Sequence, residues 1–427
     1  MNSKAFVPLL VLAAAFATAR VTNDAAGPTE LLLEGREVFR HDTFGDEAFW
    51  GGTLGLHNAI QGAAFGGVGP GLSPLAALGA GLQVDVESLD EETIEGLIQG
   101  TINLSDPAVT LALLDQDAVV GVKGFAAADG SLESVGITCA LCHSTVDDSF
   151  APGIGRRRDG WANRDLNVGA IMSLAPDLSF FANLLGVTED DVRAVLATWG
   201  PGRFDAHLIL DGQAFRPDGD SASVLIPAAY GLAGVDRATY NGWGSVTHWN
   251  ALVANLEMGG SGTFVDPRLN NATRFPLAAA NGFANVANSP DLVTSKLAAL
   301  HAYQLALEPP PAPKDGYAPA AAARGKTLFE GVADCARCHV PPLYTEPGHN
   351  LHTALEIGID DFQAMRSPQC GYRTAPLKGL WTHTKGGFYH DGRFATLPEV
   401  IEHYNAHFKL ELTEREINDL AEHLKSL

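Results

Sequence analysis

The stretch ITCALCHSTV, residues 137–146, holds two cysteines that are separated by two residues and followed directly by a histidine. The same pattern returns in ADCARCHVPP, residues 333–342. The chain has five cysteines, so these two copies use all of them except Cys370. The organisation of the protein therefore has to explain why two distant segments each place a histidine beside the second cysteine of a pair.

Cysteine pairs with this spacing can form disulfides, bind zinc or act as a redox dithiol. The adjoining histidine favours covalent attachment of a c-type haem instead. Two thiols on one helical turn reach the two vinyl groups of one porphyrin, and the next residue places an imidazole beneath the iron. We therefore predict two covalent haems, held by Cys139, Cys142 and His143 at the first motif and by Cys335, Cys338 and His339 at the second.

Composition sets limits on the partners of the protein. Hydrophobic residues make up 46% of the chain and charged residues 18%, which is typical of a folded protein. The formal net charge of −22 argues against a nucleic-acid partner, because phosphates would be repelled. The same charge is compatible with a basic partner such as a small electron donor or acceptor.

The N-terminus indicates where the protein works. MNSKAFVPLLVLAAAFATAR combines Lys4, an apolar run over residues 5–16 and the small residues of Ala17-Thr18-Ala19. This pattern predicts a signal peptide over residues 1–19 and a periplasmic or secreted protein. Export also fits c-type haem, which is attached after translocation. No later apolar run of about twenty residues predicts a transmembrane segment.

Hydrophobic periodicity predicts a mainly α fold with long loops and little strand. Residues 31–39 have helical periodicity, and Thr188 and Asp191 form a capping-box pattern before a further helix. Prolines and alanines after residue 307 favour an extended spacer, followed by a helix that leads into the second motif. The predicted division is an N-terminal haem domain (20–307), a linker (308–324) and a C-terminal cytochrome c domain (325–427).

Two further stretches carry a family resemblance. YRTAPLKGLW at 372–381 and GFYHDGRFATLPEVIEHYN at 387–405, with the two motifs, resemble the di-haem cytochrome c peroxidase superfamily. The resemblance implies an oxidoreductase in which one haem reacts with peroxide or dioxygen and the other passes electrons. It also implies a calcium ion between the domains, a point on which the sequence itself is silent.

The N-terminal half narrows the resemblance. GWANRDLNVGAI at 160–171 and THWNALVANLEMGGSGTF at 247–264 are similar to segments of the bacterial rubber oxygenases, which cleave a hydrophobic polymer with dioxygen. The resemblance implies that Trp249 lies between the haems and that Phe264 guards the oxygen-binding iron. The chain is shorter after its second motif than that family leads one to expect, which favours a reduced or absent substrate channel.

The sixth ligand of the second iron should come from the last helices. A haem with histidine on both faces can only pass electrons, whereas one with an open face can bind dioxygen or peroxide. EVIEHYNAHF offers His403, Tyr404 and His407, of which we favour His403. No methionine follows Met365, which excludes a methionine ligand from this helix. The first haem, without a comparable candidate, is expected to be the open one.

Two classes of function remain. The favoured class is an exported di-haem oxidoreductase in which the N-terminal haem activates peroxide or dioxygen and the C-terminal haem relays electrons, with or without a hydrophobic organic substrate. The alternative is a di-haem electron-transfer protein that has no substrate of its own. The resemblance and the expected open iron favour the enzyme.

The cofactor content can be tested directly. Because each motif binds haem through thioethers, the intact mass of the mature protein should exceed that of the polypeptide by two haem groups. The haem should also stay with the protein during extraction with acidic acetone. A mass increment of a single haem, or extractable haem, would contradict the interpretation of one of the motifs.

Overall fold

The computed structural model describes residues 27–427, and the predicted signal peptide (1–19) lies outside this range. The described chain is mainly helical, as predicted. Its α-helices are α1 (Pro28–His41), α2 (Leu56–Gln61), α3 (Pro74–Gly79), α4 (Glu91–Gln99), α5 (Pro107–Asp115), α6 (Ala140–His143), α7 (Val168–Met172), α8 (Ser179–Leu185), α9 (Glu189–Ala197), α10 (Leu208–Asp211), α11 (Val246–Leu252), α12 (Pro276–Asn281), α13 (Leu297–Ala306), α14 (Pro319–Glu330), α15 (Ala354–Ile357), α16 (Phe362–Met365), α17 (Leu397–Phe408) and α18 (Glu414–Lys425).

Strands are short within residues 27–427 and pair only two at a time. The parallel pair is β1 (Val84–Asp85) with β5 (Ile154–Gly155). The antiparallel pairs are β2 (Val122–Ala126) with β3 (Leu132–Ile137), β4 (Ser144–Val146) with β6 (Arg157–Asp159), β7 (Arg203–Phe204) with β8 (Val224–Leu225), and β9 (Thr263–Val265) with β10 (Asn285–Ala287). Helices and loops therefore carry most of the architecture.

Two predicted helices are confirmed. Residues 31–39 lie within α1, which begins with a proline in its first turn and packs against α13 through the rings of Phe39 and Tyr303, 5.6 Å apart. The capping box is present at α9, where Thr188 accepts a hydrogen bond from the backbone N–H of Asp191 and the Asp191 carboxylate accepts one from that of Thr188. Both helices could be predicted from the sequence because periodicity and a capping box depend on residues that are close together in the chain.

The C-terminal region packs around α14 and α18. The chain over residues 307–318 contains neither helix nor strand, in agreement with a proline-rich spacer. α14, however, begins at Pro319 and so includes the last six residues of the predicted linker (308–324). The alanines that follow Pro319 are strong helix formers, and a proline is well tolerated in the first helical turn.

No helix within residues 27–427 is both long and apolar enough to cross a lipid bilayer.

The contact between α14 and α18 depends on one small residue. Gly325 is buried, and a Cβ at this position would collide with the backbone carbonyl of Asp419 and lie 2.9 Å from the Cβ of His423. Gly325→Ala should lower the free energy of unfolding by about 1–3 kcal/mol, measured by denaturant titration. Gly79→Ala is the matched control, because a Cβ at this helical glycine meets no atom within 4 Å. Equal stability of the two variants would contradict the close packing.

Candidate functional site

The first cysteine-histidine motif forms a single helical turn, α6, directly after strand β3. The His143 ring lies against the backbone of Pro227, and its Nδ1–H donates a hydrogen bond of 3.1 Å to the Pro227 carbonyl oxygen. This contact sets the tautomer and leaves the lone pair on Nε2 free. Histidines that bind metals commonly orient their rings through such a second contact.

Burial also keeps His143 in the state that binds iron. It lowers the pKa of His143 to about 4, so the imidazole is neutral at neutral pH. The segment after the motif holds it in place, because the N–H of Gly160 donates to the His143 carbonyl at 2.8 Å and that of Asn163 donates to the Cys142 carbonyl at 2.9 Å. The GWANRD stretch thus supports the motif through its backbone.

A cavity of about 320 Å³ opens beside the first motif. Its size falls in the range of about 300–1,000 Å³ that is usual for ligand and cofactor pockets. Both cysteines of the motif line it and form no disulfide. Most of the remaining wall is apolar, and the residues opposite the motif come from separate parts of the chain: Trp50, Leu56, Ile171, Val224, Ile226, Val246, Val253, Met258, Leu300 and Pro376. The cysteines, the free Nε2 and the apolar walls fit a covalently attached porphyrin.

The two predicted catalytic aromatics lie in different surroundings. Trp249, on α11, lines the cavity. Phe264, on β9, does not line it; the ring is 2% exposed and belongs to a core that includes Trp243, Leu252 and Phe275. Alternation along β9 turns Phe264 inward while Thr263 and Val265 face outward. The structure therefore does not bring Phe264 to the wall on which the sequence analysis placed it.

Glu257 was missed by the sequence analysis and lines the cavity. It ends a π-helical turn, Val253–Glu257, a type of turn that is frequent at functional sites. Its Oε1 is buried without a hydrogen-bond partner, and burial raises the pKa of Glu257 well above its ordinary value. Burial therefore favours the protonated form of this carboxyl group. A single acid in the otherwise uncharged run ALVANLEMGG was the signal that could have indicated it.

The second motif is a 3₁₀ turn, Cys335–Arg337, that follows α14. The Nδ1–H of His339 donates to the carbonyl of Tyr344 at 3.4 Å, and burial lowers the pKa of His339 to about 4. Burial thus keeps the second histidine in the same neutral state as the first. The backbone of Ala375 also hydrogen-bonds the His339 ring, and Ala375 lines the cavity of the first motif. One peptide segment therefore separates the two candidate haem sites.

The three candidates for the sixth ligand lie on α17. The Nε2–H of His403 donates to the Ile357 carbonyl at 2.9 Å, and that of His407 donates to the Glu356 carbonyl at 3.0 Å. Tyr404 is hydrogen-bonded to Tyr389; burial raises the pKa of Tyr404, and the nearby cysteines of the second motif raise it further. All three residues belong to the predicted C-terminal cytochrome c domain (325–427), and the preference for His403 as the sixth ligand stays a prediction.

Calcium gains no support from the described part of the chain. Within residues 27–427, one group of three or more histidine, cysteine and acidic side chains is compact enough to hold a metal, namely Cys338, Glu346 and His352. Calcium requires six to eight oxygen ligands, and this group contains one carboxylate. Cys338 is in addition a predicted haem attachment residue.

Comparison with known proteins gives one relative in sequence. No family model matches the chain. Over 218 residues the chain is 27% identical to the methylamine utilization protein MauG of Methylorubrum extorquens, a match that covers 43% of this chain and 61% of MauG. The chain thus spans less than two thirds of the relative that it matches. This match supports in part the resemblance to the di-haem cytochrome c peroxidase superfamily, and the rubber-oxygenase branch stays a prediction.

Two solved structures were also matched. Hydrazine synthase of Kuenenia stuttgartiensis has 21% identity and a TM-score of 0.28, over 50% of this chain and 76% of that chain. A MauG-like protein associated with microbial copper homeostasis has 18% identity and a TM-score of 0.29, over 54% of this chain and 78% of that chain.

A buried acid supports the strand that leads into the first motif. Asp46 is fully buried, and its Oδ1 accepts a hydrogen bond of 3.1 Å from the N–H of Ile137, two residues before Cys139. Burial raises the pKa of Asp46 from 3.8 to about 9. The folded protein thus retains a proton that the unfolded chain releases at lower pH.

Stability should consequently depend on pH through Asp46. The contribution of this proton is complete below about pH 4 and is lost progressively as the pH rises towards about 9. Asp46→Asn keeps an acceptor for Ile137 and should weaken this dependence, measured as the free energy of unfolding at about pH 5 and about pH 8. Asp236→Asn, at an exposed position, is the control. The same pH dependence in all three proteins would contradict the buried proton.

Proposed function

We propose that the chain is an exported di-haem c-type oxidoreductase whose first haem is open to an oxidant and whose second haem transfers electrons. The observation that carries the proposal is the repeated arrangement of a cysteine pair and a neutral histidine that donates through Nδ1. This arrangement orients the neutral imidazoles of His143 and His339 for binding iron. The similarity to MauG supports an oxidoreductase.

The chain's own groups have separate tasks in this proposal. Bound haem supplies a redox-active iron that binds small neutral oxidants such as hydrogen peroxide or dioxygen. The apolar walls of the cavity exclude water, so the site disfavours charged ligands. Burial favours the protonated form of Glu257, which would allow this carboxyl group to donate a proton to an oxygen atom of the oxidant and recover it later.

Glu257 favours peroxide over dioxygen as the oxidant. Cleavage of the O–O bond of peroxide produces a leaving oxygen that needs a proton, and a protonated carboxyl group in an apolar wall is suited to supply one. Trp249 lines the same cavity and is proposed as the aromatic through or near which electrons arrive. The oxygenase alternative, with Phe264 as guard of the iron, has less support because Phe264 does not line the cavity.

The wider proposals follow from the motifs. Residues 20–307 carry the open haem, residues 325–427 carry the electron-transfer haem, and the signal sequence directs the protein to the periplasm or the medium. A small redox protein is the proposed electron partner, and the net charge of −22 favours a basic one.

EPR spectra of the oxidised protein test whether the first haem is open to an oxidant. An enzyme should show one high-spin and one low-spin iron, whereas two low-spin irons would favour the electron-carrier alternative.

The role of Glu257 can be tested by an isosteric change. Glu257→Gln keeps the shape of the side chain and removes its acidic proton, so the reaction with hydrogen peroxide should slow about 10²–10⁴-fold, measured by stopped-flow absorbance. Glu411→Gln, at an exposed position, should react at the original rate. An unchanged rate in Glu257→Gln would contradict proton donation from this residue.

The sixth ligand of the second haem can be identified with three variants. If His403 is that ligand, His403→Ala should convert the second haem from low spin to high spin, while His407→Ala and Tyr404→Phe should leave it low spin. The measurement is the EPR spectrum of each oxidised protein. A spin change in one of the other two variants would assign the ligand to that residue and contradict our preference.

A further inference from the structure

Two arginines beside the first cavity lack a counter-charge. Arg373 lines the cavity, and its Nη1 donates to the backbone carbonyl of Arg237 at 2.5 Å. Burial lowers the pKa of Arg373 to about 10, which still leaves the guanidinium charged at neutral pH. No carboxylate within residues 27–427 pairs with it. The wall of the cavity thus contains a cation without an anion.

Arg164 lies directly behind this wall. It is 9% exposed, and its Nε and Nη1 are buried without a hydrogen-bond partner. Its guanidinium hydrogen-bonds the hydroxyl of Tyr240, and both Tyr240 and Lys378 line the cavity. Burial, together with the charge of Arg164, lowers the pKa of the neighbouring His383 to about 3. Positive charge therefore accumulates on one side of the cavity.

Two other buried arginine side chains within residues 27–427 pair with carboxylates. Arg366, with a side chain 1% exposed, contacts Asp205 at 2.9 Å and Asp211 at 2.7 Å. Arg157, equally buried, contacts Asp85 at 3.0 Å. A buried cation without a partner is strongly destabilising, so proteins rarely retain one. The exceptions at Arg164 and Arg373 indicate that an anion from outside the polypeptide belongs at this wall.

We propose that Arg373, Lys378 and Tyr240 hold the propionate carboxylates of the haem attached to the first motif, with Arg164 supporting them from behind. The inference rests on the proposed function, since it requires haem at that motif. Planar guanidinium groups match carboxylates in two-pronged hydrogen bonds, which makes Arg373 the main anchor. Arg164 and Tyr240 precede the linker and Arg373 and Lys378 follow it, so the haem carboxylates tie the two regions together.

The first test uses the protein with both haems attached. Arg373→Met removes a positive charge that opposes the oxidised iron, so the reduction potential of the first haem should fall and should depend more strongly on pH near neutrality. Arg373→Lys should show a smaller fall. Arg158→Met is the matched control, because Arg158 is exposed and solvent screens its charge. A potential equal to that of the unchanged protein in Arg373→Met would overturn the proposal.

The second test compares the effect of Arg373→Met on the midpoint of unfolding with and without the first haem, and the effect should change sign. In a Cys139→Ser, Cys142→Ser background the first haem cannot attach, and Arg373→Met should then raise the midpoint of unfolding, because it removes an unpaired buried cation. In the fully loaded protein the same change should lower the midpoint, because it breaks an ion pair. Effects of one sign in both backgrounds would assign Arg373 a purely structural role and overturn the inference.

Different results would contradict the proposed function and the proposed carboxylate site. A protein whose mass shows no haem at the first motif contradicts the proposed function itself. If the protein carries both haems, but Arg373→Met changes neither the reduction potential of the first haem nor the sign of its effect on the midpoint of unfolding, the carboxylate site is contradicted and the proposed function is not.

Discussion

The apolar cavity beside the first motif is the constraint on which the rest of the structure depends. It has a volume of about 320 Å³, and its wall includes Arg373, which forms no ion pair with a carboxylate of residues 27–427. Closely packed interiors leave few such voids, since each one loses contacts that would stabilise the fold. A porphyrin attached at Cys139 and Cys142 would pack against these apolar walls and, through its carboxylates, would pair with Arg373. Attachment of the cofactor should accordingly be part of the folding free energy of this protein.

Charge is distributed in opposite ways over the surface and around the cavity. The chain as a whole carries a formal charge of −22, whereas one side of the cavity has Arg373 and Lys378, with Arg164 behind them. An acidic surface favours association with a basic redox partner, and a cationic interior favours an anionic cofactor. Glu257 is the one acid among the described residues that line the cavity, and burial raises its pKa and so favours its neutral form. It can therefore handle a proton without adding negative charge next to the haem carboxylates.

One backbone segment contributes to both candidate haem sites. The segment that contains Ala375 hydrogen-bonds the His339 ring on one side and lines the first cavity on the other. This segment belongs to the YRTAPLKGLW stretch that carried the family resemblance. A shared wall gives a physical reason for its composition, because it has to position a histidine ligand, a cofactor cation and an apolar surface within a few residues. Electron transfer between the sites would benefit from the same proximity.

The sequence alone determined the features that depend on neighbouring residues. The spacing of cysteine and histidine predicted both candidate sites, the capping box at Thr188 predicted the start of α9, and periodicity predicted α1. Only the tertiary structure decided which distant residues meet at the first cavity. It brought Glu257 and Arg373 to the wall and turned Phe264 into the core against which Trp249 packs. Local signals arise from hydrogen bonds within a few residues, whereas a cavity wall is assembled by packing between segments that are far apart in the chain.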